Sequence, residues 1–458
     1  MKRLAAVLAT LALLPATARA WEPATTHAGL AEQAALTSRL HRRLVSLGFG
    51  GGLFEPLTIP PADAPALTAA LRLLSPSHGA VPDMRGRQVA LAWLTAGAAL
   101  ADVPGRHGAN HFFDPTTGVG WRAPDRGVLR GLADDVREAL GRAALPATGV
   151  PAPDWVTSKD NPLGLAAFHD QYVKAVSART PGERARHMAA ALTAAGAILH
   201  TLGDLGVPSR VRSDMAAHLE PLGGGPDDLG SRFERIAALA HGRLGVPAPT
   251  RVVTRPTVRA FFTAPDGGGL ADVIARSYFS PHTLPGTSRV GGEAPPPLAR
   301  ALPALPARLN LMAASREDGT TLRDLAGTCL ARYRIENSVL AFSLDDECVL
   351  EQMGAILPEV ASYEAGLLDH LLRGELTLTF GAQLTVAGAA LGAGTLDVLV
   401  EDERGVRTSI GTVQAAGGTA PLAVMTAPSV GLRVVAVFRG VDASGEPVVA
   451  VGAMPISR

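Results

Sequence analysis

His200 and Asp204 lie four residues apart at the end of an Ala-rich apolar stretch, so on a helix both side chains leave one face. A His and an Asp turned into an apolar interior need partners. A divalent metal would satisfy both, and so would a plain His–Asp hydrogen bond. Three further clusters gather the other residues that could do chemistry. His27 stands in the stretch 25–30. Asp102 is followed by His111 in the string Asn110-His111-Phe112-Phe113-Asp114-Pro115, with His107 as a rival to His111. Beyond Asp204 come Arg210, Arg212 and Asp214, then His218, Glu220 and Glu234. Arg212 and Asp214 are expected to brace the site rather than bind metal. No Ser-His-Asp order, P-loop or Gly-x-Gly-x-x-Gly unit stands out.

These residues need elements to hold them. Apolar residues at three- and four-residue spacing predict helices over 31–47, 88–101, 129–144, 181–205 and 355–372, with Tyr363 and Glu364 read as core packing of the last. Pro- and Gly-rich connectors fall at 221–226 and 291–297, and the five prolines of 295–307 predict an extended crossing. After Gly374 the character switches to short Val-, Thr- and Leu-rich segments, 375–380, 395–401, 406–413, 432–439 and 447–451, separated by Gly-rich turns. That pattern predicts a β-sandwich. The expected fold is therefore mainly α, a helical domain over 21–373 followed by a small β-sandwich domain over 374–458.

Composition bounds the class. The 458 residues include 42 basic and 42 acidic side chains, 47% hydrophobic and 18% charged residues. A disordered chain is excluded, and a balanced charge argues against holding nucleic acid by a general basic field. Lys2 and Arg3, an apolar run over 4–14 and the ending Ala18-Arg19-Ala20 read as a signal peptide over 1–20, cut after Ala20. The expected product is soluble, secreted or periplasmic, and begins at Trp21 with 39 basic against 42 acidic residues, a formal −3. In an oxidising compartment Cys329 and Cys348 most simply form one disulfide. His41, His78, His169, His187, His241, His282 and His370 are read as surface or satisfied core residues.

The ordered clusters and the start at Trp21 resemble the zinc-dependent phospholipase C family, whose helical fold is shared with the S1/P1-type nucleases. The matching residues are Trp21, His27, Asp102, His111, His200 and Asp204; the surrounding strings 110–115 and 205–208 are also similar. The resemblance implies a helical fold over 21–373 and zinc ligands at those positions, with the free amino group and carbonyl of Trp21 among them. It makes Asp204 the bridge between a zinc held by Asp102, His111 and His200 and one held by Trp21 and His27. Asp102 would also orient or deprotonate the attacking water. Glycerophospholipid hydrolysis by metal-activated water follows as the expected activity, with two or three zinc ions. Phospholipid is the expected substrate, peripheral membrane contact through the β domain would follow by analogy, and no stable nucleic-acid partner is expected.

The chain departs from the family at one place. Arg210 stands six residues beyond Asp204 where a His ligand is expected, and Gly230 stands where another His precedes the acid matched by Glu234, with Glu220 second. Arginine stays protonated and has no lone pair for zinc. Four outcomes are open: His218 replaces a ligand, the site runs on two metals, Arg210 binds the substrate phosphate, or activity is lost. An S1/P1-type nuclease and a catalytically impaired binding protein are the alternatives to the phospholipase reading.

Overall fold

The computed structural model describes residues 23–65, 67–68, 85–103, 105–123, 146–218, 220–221, 229–242, 245–285, 309–417 and 421–456. Segment 1–20, Trp21, the expected helix 129–144 and the proline-rich 295–307 lie outside them. Six helices frame the site: α1 (Ala28–Thr37), α2 (Ala90–Leu100), α3 (Leu165–Ser177), α4 (Pro181–Gly203), α5 (Arg232–Ala240) and α6 (Asp346–Leu371). The start of α4 is fixed by a capping box: Thr180 Oγ1 accepts from Glu183 N at 3.3 Å, Thr180 N donates to Glu183 Oε2 at 2.9 Å, and Pro181 follows. By length and composition Pro181–Gly206 could cross a membrane, but 94% of its apolar window is buried inside the molecule, where it serves as a core helix.

Two glycines set the central crossing. A Cβ on Gly97 of α2 would lie 1.9 Å from Thr193 O, and one on Gly196 of α4 would lie 1.9 Å from Leu94 O. The helix backbones touch because neither residue has a side chain there. All eleven residues of α2 are buried, which explains its apolar sequence on every face. Both α1 and α6 pack against this pair, and Tyr363 of α6 is buried and donates its hydroxyl to Gly268 O at 2.7 Å.

The part before Arg373 is mainly helical, as expected, but it carries strands as well. Strands β1 (Thr320–Arg323), β2 (Cys329–Glu336) and β3 (Val339–Ser343) form an antiparallel sheet. Asn337 and Ser338 between β2 and β3 have φ of 48° and 67°, so a two-residue turn with left-handed backbone closes the hairpin. A disulfide joins Cys329 at the start of β2 to Cys348 in the first turn of α6. The expected helix 31–47 is also two helices, because Ser38 takes an extended ψ of 176° and its Oγ accepts from Leu40 N at 3.2 Å.

After α6 the described chain is all strand: β4 (Leu376–Phe380), β5 (Gln383–Gly388), β6 (Leu391–Glu401), β7 (Arg407–Ala415), β8 (Ala423–Thr426), β9 (Arg433–Asp442) and β10 (Pro447–Pro455). One antiparallel sheet has the order β7-β6-β9-β10 and the other β8-β5-β4. Val434, Ala436 and Phe438 of β9 join Leu384, Val386 and Val398 in the cluster between the sheets. The alternate residues Val435 and Val437 belong to the helical core. Strand β9 is thus buried on both faces, which is why its sequence is a continuous apolar run rather than an alternating one.

Candidate metal centre

The α2–α4 crossing delivers the ends of both helices to one place. His200 lies in the last turn of α4 and Asp204 directly follows it, while Asp102 lies just past the end of α2. His27 comes from the turn before α1, and His111 from the loop after Asp102. Asp204 is the hub. Its Oδ1 meets His27 Nε2 at 3.0 Å, and its Oδ2 meets His111 Nδ1 at 2.8 Å and His200 Nε2 at 3.2 Å. Asp102 lies 3.3 Å from His111 Nδ1 and 3.5 Å from His200 Nε2. The rings of His27 and His200 stack with centroids 3.6 Å apart.

The chemistry of these atoms fits a bound cation. His200 Nδ1 donates to Ala98 O at 2.7 Å, so its Nε2 is the nitrogen turned to the carboxylates. His27 Nδ1, His111 Nε2, His200 Nε2 and both Asp102 oxygens are buried with no hydrogen-bond partner among the described residues. Two donor sets, His27–His200–Asp204 and Asp102–His111–His200, each have their donor atoms within 4.8 Å of one another. Side chains of this kind held so close without satisfied partners are a metal-ligand chemistry.

The electrostatics agree. Burial would lower the His200 pKa, but Asp204 and Asp102 together hold it up at about 10. The two carboxylates thus favour a positive charge at His200, and a metal bound there would displace the proton. Burial and the neighbouring His200 push His27 down to about 4, leaving it neutral as a ligand must be. For Asp204, burial acts upward, but Arg210, His200 and His27 hold the carboxyl well below its usual range. For Asp102 burial again acts upward, and His200 and His111 bring it to about 2.

Arg210 and Glu234 sit beside this cluster and not in it. The Arg210 Nε donates to Glu234 Oε1 at 2.9 Å and Nη1 lies 3.4 Å from Asp204 Oδ2, with the guanidinium 4.5 Å over the Phe112 ring. Glu234 is buried in the first turn of α5, whose cap is Ser231 Oγ accepting from Glu234 N. His218 Nε2 bonds Ser209 Oγ at 2.9 Å, and its Nδ1 is 3.9 Å from Glu234 Oε1. His107 packs its ring edge against Trp155, outside both donor sets. Glu220 pairs with Gly230 in a short strand ladder. Arg212 and Asp214 turn away: Arg212 donates to Thr283 Oγ1 and Ala275 O, and Asp214 accepts from the N–H and ring of His282. They brace the turn at Pro281–Thr283, one layer further out than expected.

One residue was read only as packing. Glu364 of α6 is 1% exposed, its Oε2 has no hydrogen-bond partner among the described residues, and its Oε1 lies 2.5 Å from where a Cβ on Gly203 would stand. Burial raises its pKa well above the usual value, with Asp204 pushing the same way and His200 opposing. The available signal was an acid inside the apolar stripe formed by Val360, Ala361, Leu367 and Leu368.

No protein-family model matches the chain. No curated protein matches it either. Among solved structures, the alpha toxin from Clostridium absonum aligns over 96% of this chain and 96% of its own, at 11% identity and a TM-score of 0.31. A likeness that slight carries no argument, so the metal centre rests on its own residues.

Proposed function

We propose that the chain is an exported, zinc-dependent phosphodiester hydrolase of phospholipase C type that cleaves glycerophospholipids, with residues 21–373 as its catalytic part and 374–458 as an attached β part. The observation that carries this reading is the convergence of His27, Asp102, His111, His200 and Asp204 at one buried point. Their order along the chain is the order in which the phospholipase C family supplies its ligands, beginning at Trp21. The Cys329–Cys348 disulfide supports an exported protein.

Asp102, His111 and His200 would hold one zinc and His27 the other, with Asp204 within reach of both. Zinc supplies a water with a pKa lowered toward ~7 and charge neutralisation on the phosphate oxygens. The side chain of Asp102 is 12% exposed, whereas those of His27, His111, His200 and Asp204 are fully buried. The resemblance makes Asp102 the member of the set that would orient the attacking water, and both its oxygens are without a hydrogen-bond partner among the described residues. The Ala98 carbonyl fixes the His200 ring, and the ring stack fixes His27, so neither ligand needs to reorganise.

Protein beginning at Trp21 should hold zinc by elemental analysis and release phosphocholine from phosphatidylcholine vesicles. Turnover of single-stranded DNA instead would make it a nuclease, and zinc without either turnover would make it a metal-retaining binding protein. A folded chain that binds no zinc would overturn the metal centre altogether.

A further inference from the structure

Resting on that metal-centre reading, we infer that the Arg210 guanidinium is a built-in cation closing a third metal position, so that the centre holds two zinc ions and Glu234 binds none. Glu234 and Asp204 flank the Arg210 guanidinium beside the cluster, and His218 Nδ1 lies 3.9 Å from Glu234 Oε1. Glu234, Asp204 and His218 are all buried, and they supply two carboxylates and an imidazole of the kind a metal takes. The space between the two acids is filled by the chain itself. Arg210 Nε holds Glu234 Oε1 at 2.9 Å while Nη1 approaches Asp204 Oδ2 at 3.4 Å, so one guanidinium lies between both acids. A zinc ion bonded to the same two oxygens at about 2.0–2.2 Å would overlap it.

The placement is fixed rather than incidental. Arg210 is 1% exposed, its flat face covers Phe112 at 4.5 Å, and the main chain on either side is pinned by Phe113 N donating to Arg210 O and Arg210 N donating to Val207 O. A guanidinium cannot give up its proton, so it cannot become a ligand, but it neutralises the same carboxylates as a metal would. Unlike a metal, that charge cannot be exchanged or removed by a chelator. Glu234 Oε2 is buried with no hydrogen-bond partner among the described residues, so the guanidinium engages only one of the two Glu234 oxygens.

Zinc-edge anomalous diffraction from crystals of the mature chain grown in excess zinc tests this without a variant. The expected map has density among His27, Asp102, His111, His200 and Asp204 and none bonded to Glu234. Zinc bonded to Glu234 in the parent chain would overturn the inference while leaving the metal centre standing, whereas no zinc anywhere would sink both. In solution, Arg210→His should raise the zinc content by about one ion per chain, and Arg210→Lys, which keeps a cation, should not. A folded Arg210→His chain with the parent's zinc content would show that the position is not a metal position, and the inference would fall.

Discussion

His200 belongs to both donor sets, and no other residue of the cluster does. With Nδ1 committed to Ala98 O, only Nε2 can serve, and it faces Asp102 and Asp204 together. One Nε2 lone pair serves one metal, so removing His200, like removing His27, takes a donor from a single position, whereas removing Asp204, whose two oxygens meet His27 and His111, takes one from both. Zinc per folded chain after dialysis should fall to near zero for Asp204→Ala and to roughly half the parent value for His27→Ala. An Asp204→Ala chain retaining the parent's zinc would refute the shared-ligand assignment. The pair His200–Asp204 is legible in the sequence because four-residue spacing on a helix fixes direction. Glu364 was not, because its role depends on space left by Gly203 on another helix, which no local spacing encodes. Nor does sequence reveal that Arg212 and Asp214, two and four residues past Arg210, point to a different turn.

At the scale of elements, the site exists because α2 and α4 cross at backbone contact, and Gly97 and Gly196 are the residues that permit it. Alanine is the better helix former by about 1 kcal/mol, so a Gly→Ala change stabilises a helix wherever the methyl has room. Gly354 in α6 has nothing within 4 Å of its would-be Cβ. Gly354→Ala should raise stability by about 0.5–1 kcal/mol, whereas Gly196→Ala should lower it by about 1–3 kcal/mol and weaken zinc binding, since His200 is one turn further along α4. Urea midpoints and zinc affinity of the two variants check this; equal and opposite-to-expected shifts would mean that the helices can separate freely. The helices themselves were largely readable from apolar periodicity, although Ser38 breaks one of them by bonding Leu40 N. The hairpin β2–β3 was missed inside a region read as helical, even though Asn337-Ser338 is turn chemistry of the two-residue kind.

For the whole molecule, the β-rich part is not a loosely tethered appendage but shares its core with the helices and is fastened by buried charge. Glu401 of β6 bonds Arg407 at 2.8 Å and Arg433 at 2.8 Å and lies 3.6 Å from Arg184 of α4. Arg184 and Arg407 in turn donate to backbone carbonyls across the junction, Gly405 O and Val176 O. A second fastening joins Arg373 to Asp442 and Glu446, with His370 also on Glu446. Burial alone would raise the pKa of all three acids. For Glu401 the bonds from Arg433 and Arg407 reverse that, for Glu446 those from His370 and the Val258 N–H do, and for Asp442 those from Ser444 and Arg373 bring it to about 2. Folded values below the unfolded ones, about 3.9 for Asp and 4.3 for Glu, mean stability that is complete above roughly pH 5 and is lost as pH falls through the folded values. The difference in urea midpoint between the parent and Glu401→Gln should therefore be level from pH 7 to about 5 and shrink toward pH 2. Glu401→Gln leaves three arginines without their shared carboxylate and should cost about 3 kcal/mol at pH 7. Below the folded pKa of Glu401 the parent carries no charge there either, so the gap between parent and variant must close as the acid protonates. A gap that stayed constant down to pH 2 would mean that Glu401 stabilises the junction by shape and not by charge.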